Sequence, residues 1–205
     1  MRLRTHNTTA AALLLLAAAA WAVSVRRMTG MDMGMGAGLG SLSFFAVTWT
    51  AMMAAMMLPS ALPAARELDG LAPLGFAASY VAVWGIVGVV AFAAYRGIHF
   101  AAGAAVLAGA LYELTPLKRR CLASCRRGVR RGEHGTVAGV RYGVQCLGCS
   151  TGLMVVLLAL GGMSVTWMLV VAAIVFVEKV PRFGASLVEP VALSLVGLGL
   201  LTVLT

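Results

Sequence analysis

The chain has 205 residues, of which 61% are hydrophobic and 11% charged. That leaves too little polar surface for a soluble domain of this length, and the apolar residues lie in long runs divided by short charged stretches, the pattern of several membrane spans. The net charge of +9 sits in the loops between those runs, where membrane topology and anionic lipid headgroups account for it, so nucleic acid is excluded as a partner.

About seven apolar segments follow in chain order, several of them near the lower limit of the roughly 17–25 residues that cross a bilayer. The first, from Thr9 to Val25, follows Arg2 and Arg4. It is expected as a first span or uncleaved anchor within residues 1–27, although Ala20-Trp21-Ala22 also gives it the form of a cleavable signal peptide. The second runs from Leu42 to Leu62 and the third from Leu74 to Tyr95. The fourth runs from Ile98 to Leu114 and stops at Pro116. The fifth covers Tyr142 to Gly161, the sixth Met163 to Val177 and the seventh Ala185 to Leu204. The expected fold is an all-α, polytopic transmembrane bundle. It forms a single membrane domain over residues 1–205, with the bundle across 42–205 and a basic loop across 115–141.

Loop charges orient this bundle. With seven spans, Arg26, Arg27 and Arg96 fall on one side and every other Lys and Arg on the other. The positive-inside rule puts the larger group in the cytoplasm of a bacterial inner membrane, with the N-terminus inside and the C-terminus outside. In the basic loop, residues 117–131 read as an interfacial amphipathic helix. Leu117, Cys121, Leu122, Cys125 and Val129 share one face and the arginines the other; only Lys118 intrudes on the apolar stripe, and Gly128 weakens the last turn.

Three sets of residues carry candidate chemistry. The four cysteines form two helical pairs, Cys121 with Cys125 and Cys146 with Cys149, each on one face. Such pairs suit a soft or borderline metal held by thiolates, or a dithiol redox site. Met53, Met56 and Met57 stand with Met52 at the inner end of the second span, where thioethers suit Cu(I). Met31, Met33 and Met35 stand with Met28 in an outer loop that could capture a metal from outside. Glu113, Glu178 and Glu189 lie at the inner ends of the fourth, sixth and seventh spans, with Lys179 following Glu178. Buried carboxylates there need a partner or a cavity, which makes them candidates for groups behind the ligands or coupled to protons. His6, His99 and His134 form no cluster, and no HExxH motif, phosphate loop or Ser/His/Asp order is present.

In combination these residues resemble a bacterial family of metal-binding integral membrane proteins, a domain of unknown function in which some members are labelled copper chaperone. The resemblance runs from about Trp49 to Lys179. It is carried by Trp49-Thr-Ala-Met-Met-Ala-Ala-Met-Met-Leu-Pro59, by Tyr112-Glu-Leu-Thr-Pro-Leu-Lys-Arg-Arg-Cys-Leu-Ala-Ser-Cys-Arg126, by Cys146-Leu-Gly-Cys149 with Leu153-Met154, by Gly162-Met163 with Trp167-Met168, and by Glu178-Lys179. The family pattern has a second cysteine at the position of Ser150 and glutamine at that of Glu113. The resemblance implies a bound metal ion, with copper favoured over zinc or iron, and metal donor or acceptor proteins as partners besides the bilayer. It leaves open a membrane-embedded metal-dependent enzyme acting on a hydrophobic substrate, a dithiol redox protein and a small transporter.

Overall fold

A computed structural model describes residues 2–28, 41–97, 102–130, 132–160, 164–181 and 183–204. Regular structure among them is entirely helical: α1 Arg2–Met28, α2 Leu42–Ala65, α3 Ala72–Gly97, α4 Ala102–Glu113, α5 Pro116–Arg126, α6 Gly135–Ala159, α7 Val165–Lys179, a 3₁₀ turn Gly184–Leu187 and α8 Val188–Leu204. The seven apolar segments map in order onto α1 to α4 and α6 to α8, and the amphipathic one onto α5. Among the described residues, five stretches are long and apolar enough to cross a membrane: Ala10–Arg27, Leu42–Ala65, Ala72–Ala94, Gly135–Ala159 and Gly184–Leu204. α4, with 12 residues, is a shorter apolar helix, and α7 has 15. Met31, Met33, Met35 and His99 lie outside the described residues.

Large apolar side chains point outward along these helices, among them Leu15 of α1, Ile86 and Val90 of α3 and Leu193, Leu201 and Leu204 of α8. Lipid tails cover such a surface at no penalty, whereas water would not.

Helix boundaries differ from the expectation in places, α1 beginning at Arg2 rather than Thr9, and glycine accounts for two of the differences. α5 ends at Arg126, because Gly128 turns the chain with φ +74, a conformation that a side chain strongly disfavours. α6 begins at Gly135, seven residues ahead of the apolar run, and its first turns carry glycines. A methyl at Gly135 would strike the backbone of Ala72, and one at Gly139 would strike Ser79 and Phe76. Close approach of small residues, rather than apolar bulk, holds this end.

The chain divides into two compact units. The first takes α1, α2, α3 as far as Ala94, and Arg127–Val144. Its core is apolar and aromatic. Trp49, Phe45, Tyr80, Phe76 and Trp84 are fully buried, and Trp49 Nε1 donates to the Trp84 carbonyl at 2.9 Å. Phe76, Tyr80 and Tyr142 form a ring cluster with centroids 5.5–6.0 Å apart. The Glu67 carboxylate accepts from Val129 N at 3.0 Å and so fastens the turn at Gly128. The second unit takes α4, α5, α6 from Gln145 onward, α7, the 3₁₀ turn and α8. In it α4 and α8 lie close at bare positions: a methyl on Gly199 would meet Leu107 at 2.8 Å.

Candidate functional site

The second unit buries charge. The chain leaves α4 through a tightened last turn, with Leu114 N and Thr115 N bonded to the carbonyls of Leu111 and Tyr112. Thr115 Oγ1 then accepts from Lys118 N at 3.3 Å, and Pro116 occupies the first position of α5. In one continuous helix, residues 113 and 118 would point about 140° apart. The break at Thr115-Pro116 brings them together instead, and Lys118 Nζ pairs with Glu113 Oε2. The same ammonium donates to both carboxylate oxygens of Glu178 on α7, at 3.0 and 2.8 Å. Lys118 and Glu113 are fully buried and Glu178 nearly so. Burial pushes the Lys118 ammonium down from the usual lysine value, and the Glu178 carboxylate opposes that shift.

Among the described residues Glu113 Oε1 has no hydrogen-bond partner. It lies over the bare face of Gly152, where a methyl would meet it at 2.6 Å and the Gly109 carbonyl oxygen at 2.7 Å.

The cysteines gather beside this cluster on α5 and α6. Cys125, Cys146 and Cys149 are buried and Cys121 is partly exposed; none of the four is in a disulfide. Cys125 Sγ lies 3.7 Å from Cys149 Sγ, which joins the two sequence pairs across two helices. Cys149 Sγ also donates to the Cys146 carbonyl at 3.2 Å and lies 3.6 Å from Ser150 Oγ. Cys121 Sγ occupies the space that a side chain on Gly148 would fill, 2.5 Å from that missing methyl. Tyr112 OH donates to the Gly148 carbonyl at 2.6 Å and ties α4 to the same turn of α6. Among the described residues no group of three or more His, Cys, Asp and Glu side chains is arranged to hold a metal ion.

Glu178 and Lys179, adjacent in sequence, take different partners. Glu178 faces Lys118, while Lys179 Nζ donates to Cys146 Sγ at 2.8 Å. Arg126 Nη1 donates to the carbonyls of Glu178 and Lys179 at 2.7 and 3.4 Å and caps the end of α7.

Other residues singled out in the sequence lie elsewhere. Glu189, in the first turn of α8, is two-thirds exposed and pairs with Arg119 at 2.9 Å. Met53, Met56 and Met57 are fully buried in α2, in the first unit. The residue that sequence reasoning passed over is Lys118, although it was visible as the one cation on the apolar stripe of α5.

Neither a curated protein nor a solved structure matches the chain. One family model does, over residues 46–202, and its description is copper chaperone. That range holds α2 from its second turn, all four cysteines and the Glu113–Lys118–Glu178 cluster. The chain belongs to this family, PpoB2.

Proposed function

We propose that the protein handles Cu(I) as cargo in a bacterial inner membrane, and that Cys125 and Cys149 are its principal ligands. Cys146 and Cys121 extend the thiol set, and Glu113, Glu178 and Lys179 balance charge behind the ligands. The observation that carries this is the Cys125–Cys149 pair, two buried free thiols 3.7 Å apart on different helices. Two metal–sulfur bonds of about 2.3 Å span that separation at an angle of about 107°. Soft thiolates suit Cu(I), and the family description favours copper over zinc or iron. The family description and the apolar helices point the same way.

In this reading α4 and α7 complete seven spans, the N-terminus is cytoplasmic and the thiols lie near the inner face, where stable disulfides are disfavoured. Cu(I) passes to or from soluble or membrane partners there. X-ray absorption at the copper edge of the loaded protein tests the ligand set. The expected first shell is sulfur; a shell of nitrogen and oxygen alone would exclude the cysteines.

The 3.7 Å separation also favours a second reading, a dithiol that forms a Cys125–Cys149 disulfide. Thiol trapping in cells separates the two: a copper carrier keeps the pair reduced, and a redox protein cycles it.

A further inference from the structure

Among the almost fully buried side chains around the thiols the charges balance, while the Arg126 guanidinium, on the Glu178 carbonyl, is only part-buried and screened by solvent. Lys118 and Lys179 supply two positive charges, Glu113 and Glu178 two negative ones, and all four side chains are almost fully buried. Copper binding disturbs that balance. A thiol must lose its proton to ligate, so a Cu(I) held by two thiols displaces two protons. If both reached water, the buried site would gain one positive charge with the metal and lose two with the protons, ending one negative. An uncompensated charge in such surroundings is strongly unfavourable.

One oxygen is placed to prevent this. Glu113 Oε2 is held by Lys118, while Oε1 is buried and unpartnered. It lies against the bare face of Gly152, which the Gly109 carbonyl oxygen also approaches. The other titratable groups around it are engaged. Lys118 and Glu178 bond each other, Lys179 bonds Cys146, and Tyr112 bonds the Gly148 carbonyl.

We propose that Glu113 takes up one of the two protons displaced when Cu(I) binds Cys125 and Cys149, so that copper uptake is an electroneutral exchange of a Cu(I) ion for a proton. Two S–H bonds break, two Cu–S bonds form, and an O–H bond forms on Glu113. The second proton leaves to water and copper stays Cu(I), so no electron is transferred. The site begins and ends neutral. Glu113 acts through charge and does not touch the metal. This step rests on the copper reading above.

The test counts protons. Cu(I) is supplied as its acetonitrile complex, which brings no titratable ligand, to purified protein in weakly buffered detergent with a pH indicator, while bound copper is measured in parallel. The wild type should release about one proton per bound copper, and Glu113→Gln, which has no site for the other, about two. A wild type releasing about two, or a Glu113→Gln protein that binds copper and releases the wild-type number, overturns the proposal. A wild type that binds no copper overturns the cargo reading with it. Infrared difference spectra of the wild type decide the matter even if the variant fails to fold. Copper addition should raise a protonated-carboxyl band that shifts in heavy water, and a spectrum without that gain contradicts the proposal.

Discussion

The two units bury their interiors by opposite means. In the first, Trp49, Phe45, Tyr80 and the four α2 methionines fill the interior with apolar bulk, and one indole N–H finds a carbonyl. In the second, two lysines and two glutamates are buried among thiols. Apolar filling is what any membrane helix needs. Burying ions is unfavourable unless they are paired, and in lipid the usual reason for them is function. The proposed chemistry therefore belongs to the second unit.

The contrast breaks most visibly at Lys118. Lys118→Met removes the ammonium shared by Glu113 and Glu178 and leaves two buried carboxylates. It should destabilise the protein by about 3–5 kcal/mol, read as a lower midpoint of thermal unfolding in detergent. A change under about 1 kcal/mol would mean that the cluster is not a closed ionic unit. Next comes Cys149→Ser, which keeps the shape but removes a soft ligand. Cu(I) affinity should fall by about 100-fold, near 2.7 kcal/mol, in competition with a chromophoric chelator, while stability changes little. The first unit should respond differently. Met53→Leu, Met56→Leu and Met57→Leu preserve volume, so each should cost less than about 1.5 kcal/mol of stability. Their Cu(I) affinity should stay unchanged. The smallest effect belongs to the exposed Arg119–Glu189 pair: Arg119→Ala should change stability by at most about 1 kcal/mol and leave copper affinity intact.

The helices were legible because apolar runs in a membrane protein have few alternatives. The start of α6 was not, since its first turns carry glycines and Arg141 where a hydropathy reading expects a loop. For the site, the spacing of the cysteines gave each helical pair but not which members meet. Cys125 and Cys149 come from different pairs, and only the packing of α5 against α6 joins them. Glu178 and Lys179 illustrate the same limit. Their side chains diverge by about 100°, so each finds its own partner, and neither partner is near in sequence. Lys118 was readable in principle. A cation on the apolar stripe of an amphipathic helix must either disrupt it or meet a buried carboxylate, and Glu113 lies only five residues away.

The central claim is that the Cys125–Cys149 pair holds copper, and a Cu(I) titration of purified protein tests it most directly. The wild type should bind about one copper per chain tightly, and the Cys125→Ser/Cys149→Ser variant should lose that binding. Equal, substoichiometric copper in both proteins would contradict the account.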